Sequence, residues 1–193
     1  MSKEKHLEDL QEIRSIMERS SRFISLSGLS GVIAGIWAIA GSIITYVMIE
    51  NFFQQTYENI FMSFDELVWK LLLIAICVFS GALGSAIFFT NRKAKKDNVK
   101  IWNKTSKKLL INLSIPFGTG TLLVLFLMYY QLYALIAPVS LIFYGLACVN
   151  ASHNTYTDLN YLGISIVFVG LVNLLFLEYG LCFWAFGFGV LHI

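Results

Sequence analysis

The chain has 193 residues, 57% of them hydrophobic and 13% charged, with a net charge of +2 and a mean hydropathy of +0.70, whereas soluble domains carry about 25% charged residues. A soluble core of this size has no room for that much apolar surface, and the apolar residues are grouped in runs that reach or approach the ~20 residues a helix needs to cross ~30 Å of hydrocarbon. All 14 Lys and Arg lie at or before Lys108, and the only formal charges beyond it are Asp158 and Glu178, so any role driven by positive charge belongs to the first half, and nucleic-acid binding has no motif in support. The expected fold is all-α: an integral membrane bundle of six transmembrane helices behind an N-terminal amphipathic helix.

From Lys3 to Arg22, Leu7, Leu10, Ile13 and Met17 recur at three- and four-residue steps and form one stripe. Charged residues fill the opposite face, and residues 1–22 read as an amphipathic helix on the cytoplasmic membrane surface, or as a docking or self-pairing helix. The first span is expected at 23–49 and is too long, and too far into the chain, for a cleavable signal, so it should be retained. Its small residues form two four-residue ladders: Ser27, Gly31 and Gly35, and beside them Ser30, Ala34, Ala38 and Ser42. Small residues let helix backbones approach closely in lipid, so this helix should pack on two neighbours, with Gly31 and Gly35 serving packing within the chain ahead of packing between chains.

Between Glu50 and Glu66 there are four acids, no bases and aromatics at Phe53, Tyr57, Phe61 and Phe64, which predicts a short interfacial helix. Ser63 and Glu66 have capping-box spacing, placing the second span at 66–89, with Lys70 one turn in and able to snorkel outward. The segment 91–108 then holds eight Lys or Arg against one acid, Asp97. The positive-inside rule makes this loop and the N-terminus cytoplasmic. Arg92, Lys93, Lys95, Lys96, Lys100, Lys104, Lys107 and Lys108 are its candidate contacts to anionic lipid or an acidic partner.

The uncharged stretch after Leu109 fits two spans, 109–129 and 132–150, turning outside at Tyr129, Tyr130, Gln131 and Tyr133. Pro116 and Pro138 are expected to kink them, which neighbouring helices tolerate in a bundle. A polar cytoplasmic loop leads, with Thr157 or Asp158 as cap, into a fifth span at 158–177, and Glu178 to Gly180 make the next outside turn. The last apolar segment, 181–193, would reach only ~20 Å. Either it is a short, half-buried helix or the chain ends before its natural anchor. Cys77, Cys148 and Cys182 all fall inside spans, are odd in number and lack paired spacing, so buried free thiols are expected.

Topology gathers Asn112, Asn150, His153, Asp158 and His192 toward the cytoplasmic side. His153, Asp158 and His192 are the only metal or acid–base candidates, without HxxxH or HxxE spacing, and no cofactor is implied. Asn173 lies deeper, where an amide ordinarily bonds a neighbouring helix. Six spans and a terminal histidine invite comparison with rhomboid proteases, but Ser140 stands between Val139 and Leu141 rather than in a GxSG context. The stretches MERSSRFISLSGLSG (Met17 to Gly31) and FWAFGFGVLHI (Phe183 to Ile193) resemble an uncharacterised family of bacterial small multi-pass membrane proteins. That resemblance implies an inner-membrane location and neither an activity nor site residues. Three functions compete, in this order: association with a protein partner, a second copy or the cytoplasmic leaflet; transport past Asn173 and Asn112; and metal-dependent catalysis.

Overall fold

The computed structural model describes residues 28–57, 63–96, 101–102, 104–153, 155 and 158–193. The amphipathic segment 1–22, Ser27, Lys100, Asn103 and Thr157 lie outside them. Every regular element among the described residues is a helix, with no strand among them. Five helices carry the bundle: α1 Gly28–Tyr57, α2 Phe64–Lys96, α3 Lys104–Tyr129, α4 Ile136–Ser152 and α5 Asp158–Asn173. A short helix α6, Gly180–Trp184, then runs through a π-helical turn, Ala185–Gly189, and a 3-10 turn, Val190–His192. Four helical stretches are long and apolar enough to cross a membrane: Gly28–Gln54, Phe64–Lys96, Lys104–Tyr129 and Tyr133–Ser152, while α5 is a shorter apolar helix.

Several elements differ from their expected extents. Residues 50–57 continue α1 instead of forming a separate interfacial helix. The basic segment is helical at both ends, because α2 runs on to Lys96 and α3 begins at Lys104. Lys is a strong helix former, and Lys93, Lys95 and Lys96 in the last turn of α2 also oppose its negative dipole end. Pro116 sits inside α3, but Pro138 is the third residue of α4, where its missing N–H is not needed. Helix α5 stops at Asn173, not Leu177, as the chain tightens into three-residue hydrogen bonds: Leu175 N–H to Val172, Phe176 N–H to Asn173 and Tyr179 N–H to Phe176. Of the cysteines only Cys148 is buried; Cys77 and Cys182 lie on outward apolar faces.

The helices pack as a row. Helices α1 and α2 form an antiparallel pair in which a side chain on Gly41 would strike Val78 and one on Gly81 would strike Trp37. On its other side α1 meets the C-terminal segment, where a Cβ on Gly35 would stand 2.6 Å from the Gly189 carbonyl. That segment in turn rests on α4 and α5, with Gly187 against Leu141 and Val169. Helices α4 and α5 touch backbone to backbone: a Cβ on Gly145 would lie 2.6 Å from the Gly163 carbonyl, and one on Gly163 would lie 2.7 Å from the Gly145 carbonyl. Helix α3 covers the far side of α4 through Gly120 and Phe143, and Phe79 of α2 stacks on Phe117 of α3 at 5.7 Å.

The α3–α4 turn is a Schellman motif, with Leu132 N–H bonded to Leu127 and Gln131 N–H to Met128. Its left-handed position is held by Gln131, at φ 57°, where glycine is the usual occupant. The Gln131→Gly variant should therefore gain about 1 kcal/mol, read as a higher unfolding midpoint in detergent, whereas Gln131→Val should lower it.

Candidate functional site

Three groups of residues make up the candidate sites, two of them toward the end of the bundle where α2 gives way to α3 and α4 to α5. The first begins with Pro116. A proline has no N–H to offer the carbonyl four residues earlier, so the Asn112 carbonyl loses its helical partner. The Asn150 side chain of α4 supplies the replacement, donating from Nδ2 to that carbonyl at 2.7 Å. Just beyond it, Leu109 and Ala151 are buried together, with Ile101, Leu113 and Leu159 packed against them. Asn112 and Asn150, grouped by depth in the sequence, are thus joined because the proline makes a vacancy that an amide fills.

The second group holds the C-terminal segment. Winding from a π turn into a 3-10 turn leaves the Gly187 carbonyl in need of a donor, and His192 Nδ1 lies 3.1 Å from it. A carbonyl only accepts, so Nδ1 carries the proton and Nε2 is left as an acceptor. Tyr144 Oη, 2.8 Å from Nε2, donates to it. Around this pair tilted rings pack in series, with Tyr144 to Phe188 at 4.9 Å and Trp184 to Phe188 at 4.8 Å. Gly31 and Gly35 of α1 close the other side against the backbone of His192 and Gly189.

The third group is the cationic rim. Arg92, Lys95 and Lys96 end α2, Lys104, Lys107 and Lys108 begin α3, and all six are exposed; Lys93 is half-buried. Between them Trp102 is 66% exposed, with Lys107 Nζ 5.7 Å from its ring centre. Lysines at the start of α3 face the positive end of the helix dipole, so helix stability does not account for their position. Indole and ammonium groups side by side have the composition of a bilayer headgroup layer.

The remaining sequence candidates are placed as follows. Ala38 is buried and Ala34 half-buried on α1, and Ser42 donates back to the Ala38 carbonyl at 2.8 Å. Asn173 is fully buried but bonds its own turn instead of a neighbouring helix, with Nδ2 to the Phe176 carbonyl at 3.1 Å and Oδ1 without a protein partner among the described residues. His153 and Asp158 are exposed at the ends of α4 and α5, while both ring nitrogens of His192 are engaged inside the bundle. Among the described residues no three His, Cys, Asp or Glu gather to hold a metal ion.

Family models, curated proteins and solved structures offer no match to this chain.

Sequence reading missed Tyr144, Trp102 and the Gly145–Gly163 contact. The signal for Trp102 was its place within the basic run, and for the glycines their recurrence inside apolar helices that lack the four-residue ladder. Two double-mutant cycles test the polar joints. Asn150→Leu should cost about 1–2 kcal/mol, and almost nothing in a Pro116→Ala background, where a restored N–H takes the Asn112 carbonyl. Tyr144→Phe should cost about 1 kcal/mol, a loss that vanishes once His192 is already Leu. Denaturant unfolding in detergent micelles reads both.

Proposed function

We propose that this chain is a multi-pass protein of the bacterial inner membrane that works by association, engaging the anionic headgroups of the cytoplasmic leaflet, and protein partners held there, through its cationic rim. The carrying observation is the set of six exposed Lys and Arg around exposed Trp102 at the α2–α3 junction. Each such charge near an anionic surface contributes about 1 kcal/mol. The positive-inside rule supports a cytoplasmic rim, and with it a cytoplasmic N-terminus. The resemblance of residues 17–31 and 183–193 to small bacterial membrane proteins supports the compartment.

Six membrane segments are the reading of the helices in this setting. The four long apolar ones are the firmest. Helix α5, 16 residues long, covers about 24 Å, a deficit that local bilayer thinning absorbs. Residues 180–193 are the sixth segment, seated against α1, α4 and α5. The outward side chains of α2, among them Trp69, Leu73, Ile76, Leu83 and Ile87, would face acyl chains. A polar route for a solute past Asn112 and Asn173 has less in its favour, because the Asn112 carbonyl and the Asn173 amide nitrogen are engaged within the fold. Catalysis by His153, Asp158 and His192 has less again, with the first two exposed and His192 committed to Tyr144 and Gly187.

In nanodiscs, spin-labelled anionic lipid should be enriched around the full chain over zwitterionic lipid. Replacing Lys104, Lys107 and Lys108 with Gln should reduce that preference at least tenfold, as should raising the salt. A preference unmoved by either change would defeat the leaflet reading. The partner reading is tested separately by removing residues 3–19, which should strip co-purifying proteins while the bundle stays folded; an unchanged set of partners would defeat it.

A further inference from the structure

At the opposite end from the cationic rim, α1 and α2 leave an open groove of about 420 Å³ between them, lined by Ile43, Ile44 and Val47 and, at its mouth, by Asn51 and Lys70. The antiparallel register set by Gly41 against Val78 and Trp37 against Gly81 brings Lys70 level with the turn of α1 that ends at Asn51. Polar groups therefore sit together at the helix ends, while the apolar lining descends from them for about 12 Å, eight residues of helical rise. Lys70 Nζ is 2.7 Å from Glu66 Oε1, and both side chains are partly exposed, 42% and 54%. The mouth thus presents a positive and a negative charge side by side, above an apolar lining that Met48 and Phe52 complete.

We propose that this groove seats one phospholipid with a zwitterionic headgroup, its acyl chain along Ile43, Ile44 and Val47, its phosphate at Lys70 and Asn51, and its ammonium at Glu66. Charge complementarity selects this occupant. An anionic headgroup would answer Lys70 but meet Glu66 as a like charge, and an apolar helix of a second copy would leave both charges and the Asn51 amide facing hydrocarbon, at a cost of several kcal/mol for charged groups. Lipid arriving from the surrounding leaflet also enters without a gate, because the groove is open along its length. The inference takes from the proposed function only that the bundle lies in a bilayer, which carbonate-resistant membrane residence checks by itself.

The test is native mass spectrometry of the full chain, with Lys104, Lys107 and Lys108 replaced by Gln to remove the rim's own hold on anionic lipid, released from micelles doped with equal phosphatidylethanolamine and phosphatidylglycerol. One ethanolamine lipid per chain should be retained, about tenfold over the glycerol lipid. Glu66→Gln should reduce that selectivity about tenfold, the value of one charge-assisted hydrogen bond. Val47→Trp, at a side chain already half exposed, should fill the groove and abolish retention; Ile44→Trp serves the same purpose if helical circular dichroism shows Val47→Trp to be misfolded. Equal retention of both lipids, retention that survives the tryptophan substitutions, a dimer mass in place of a lipid adduct, or no retained lipid would each overturn the proposal.

Discussion

Gly145 and Gly163 lie so close that a methyl group on either would collide with the carbonyl of the other, and the rest of the bundle is arranged around the helix pair this contact defines. In hydrocarbon there is no hydrophobic drive to push helices together, so close backbone approach and its dispersion contacts must supply the association. With α4 fixed against α5, its other faces become mounting surfaces. One turn face offers Asn150 to α3. Another offers Tyr144 to His192 and Leu141 to Gly187, and so captures the C-terminal segment. That segment finally binds α1. Helix α2 touches the assembly mainly through α1, which is why only Leu67 and Ala94, near its two ends, are buried.

At three breaks in the regular helix a polar side chain repairs the break. Pro116 removes an N–H and Asn150 supplies one. The π turn shifts the hydrogen-bond ladder and His192 meets the Gly187 carbonyl. The end of α5 tightens and Asn173 donates to Phe176. Backbone groups in apolar surroundings have no water to turn to, so these repairs answer sequence irregularities that would be costly if left unsatisfied. This is also why His192, a candidate ligand in the sequence, is occupied with the architecture.

Much of the helical order was legible because run length and charge placement are local properties of the chain. The small-residue ladder on α1, for example, could be read directly, since Gly31 and Gly35 repeat at the helical step. What they face could not, because Gly189 and His192 lie far along the chain and only tertiary packing brings them in. The end of the second span was misplaced for a related reason: hydropathy falls at Asn91, but the helix continues to Lys96 because charge does not end a helix. Tyr144 was overlooked since nothing near it in sequence marks it as a partner for His192. The metal candidates were grouped by depth alone, and depth does not distinguish an exposed His153 from an enclosed His192.

The contact between α1 and the C-terminal segment also sets an order of assembly. Gly31 and Gly35 leave the ribosome long before Gly189, and until that residue follows, one narrow face of α1 has no protein against it. Helices α1 and α2 can pair early, as a local hairpin, but the seam between α1 and residues 187–193 joins parts of the chain at great sequence separation, and contacts of that kind form late. A nascent bundle would pass through a stage in which α4 and α5 are docked, the first hairpin is inserted, and only lipid lies between the two halves. Closure then depends on a few residues displacing that lipid, so the seam is where a folding helper would act and where a truncated chain would come apart into two separate helical units.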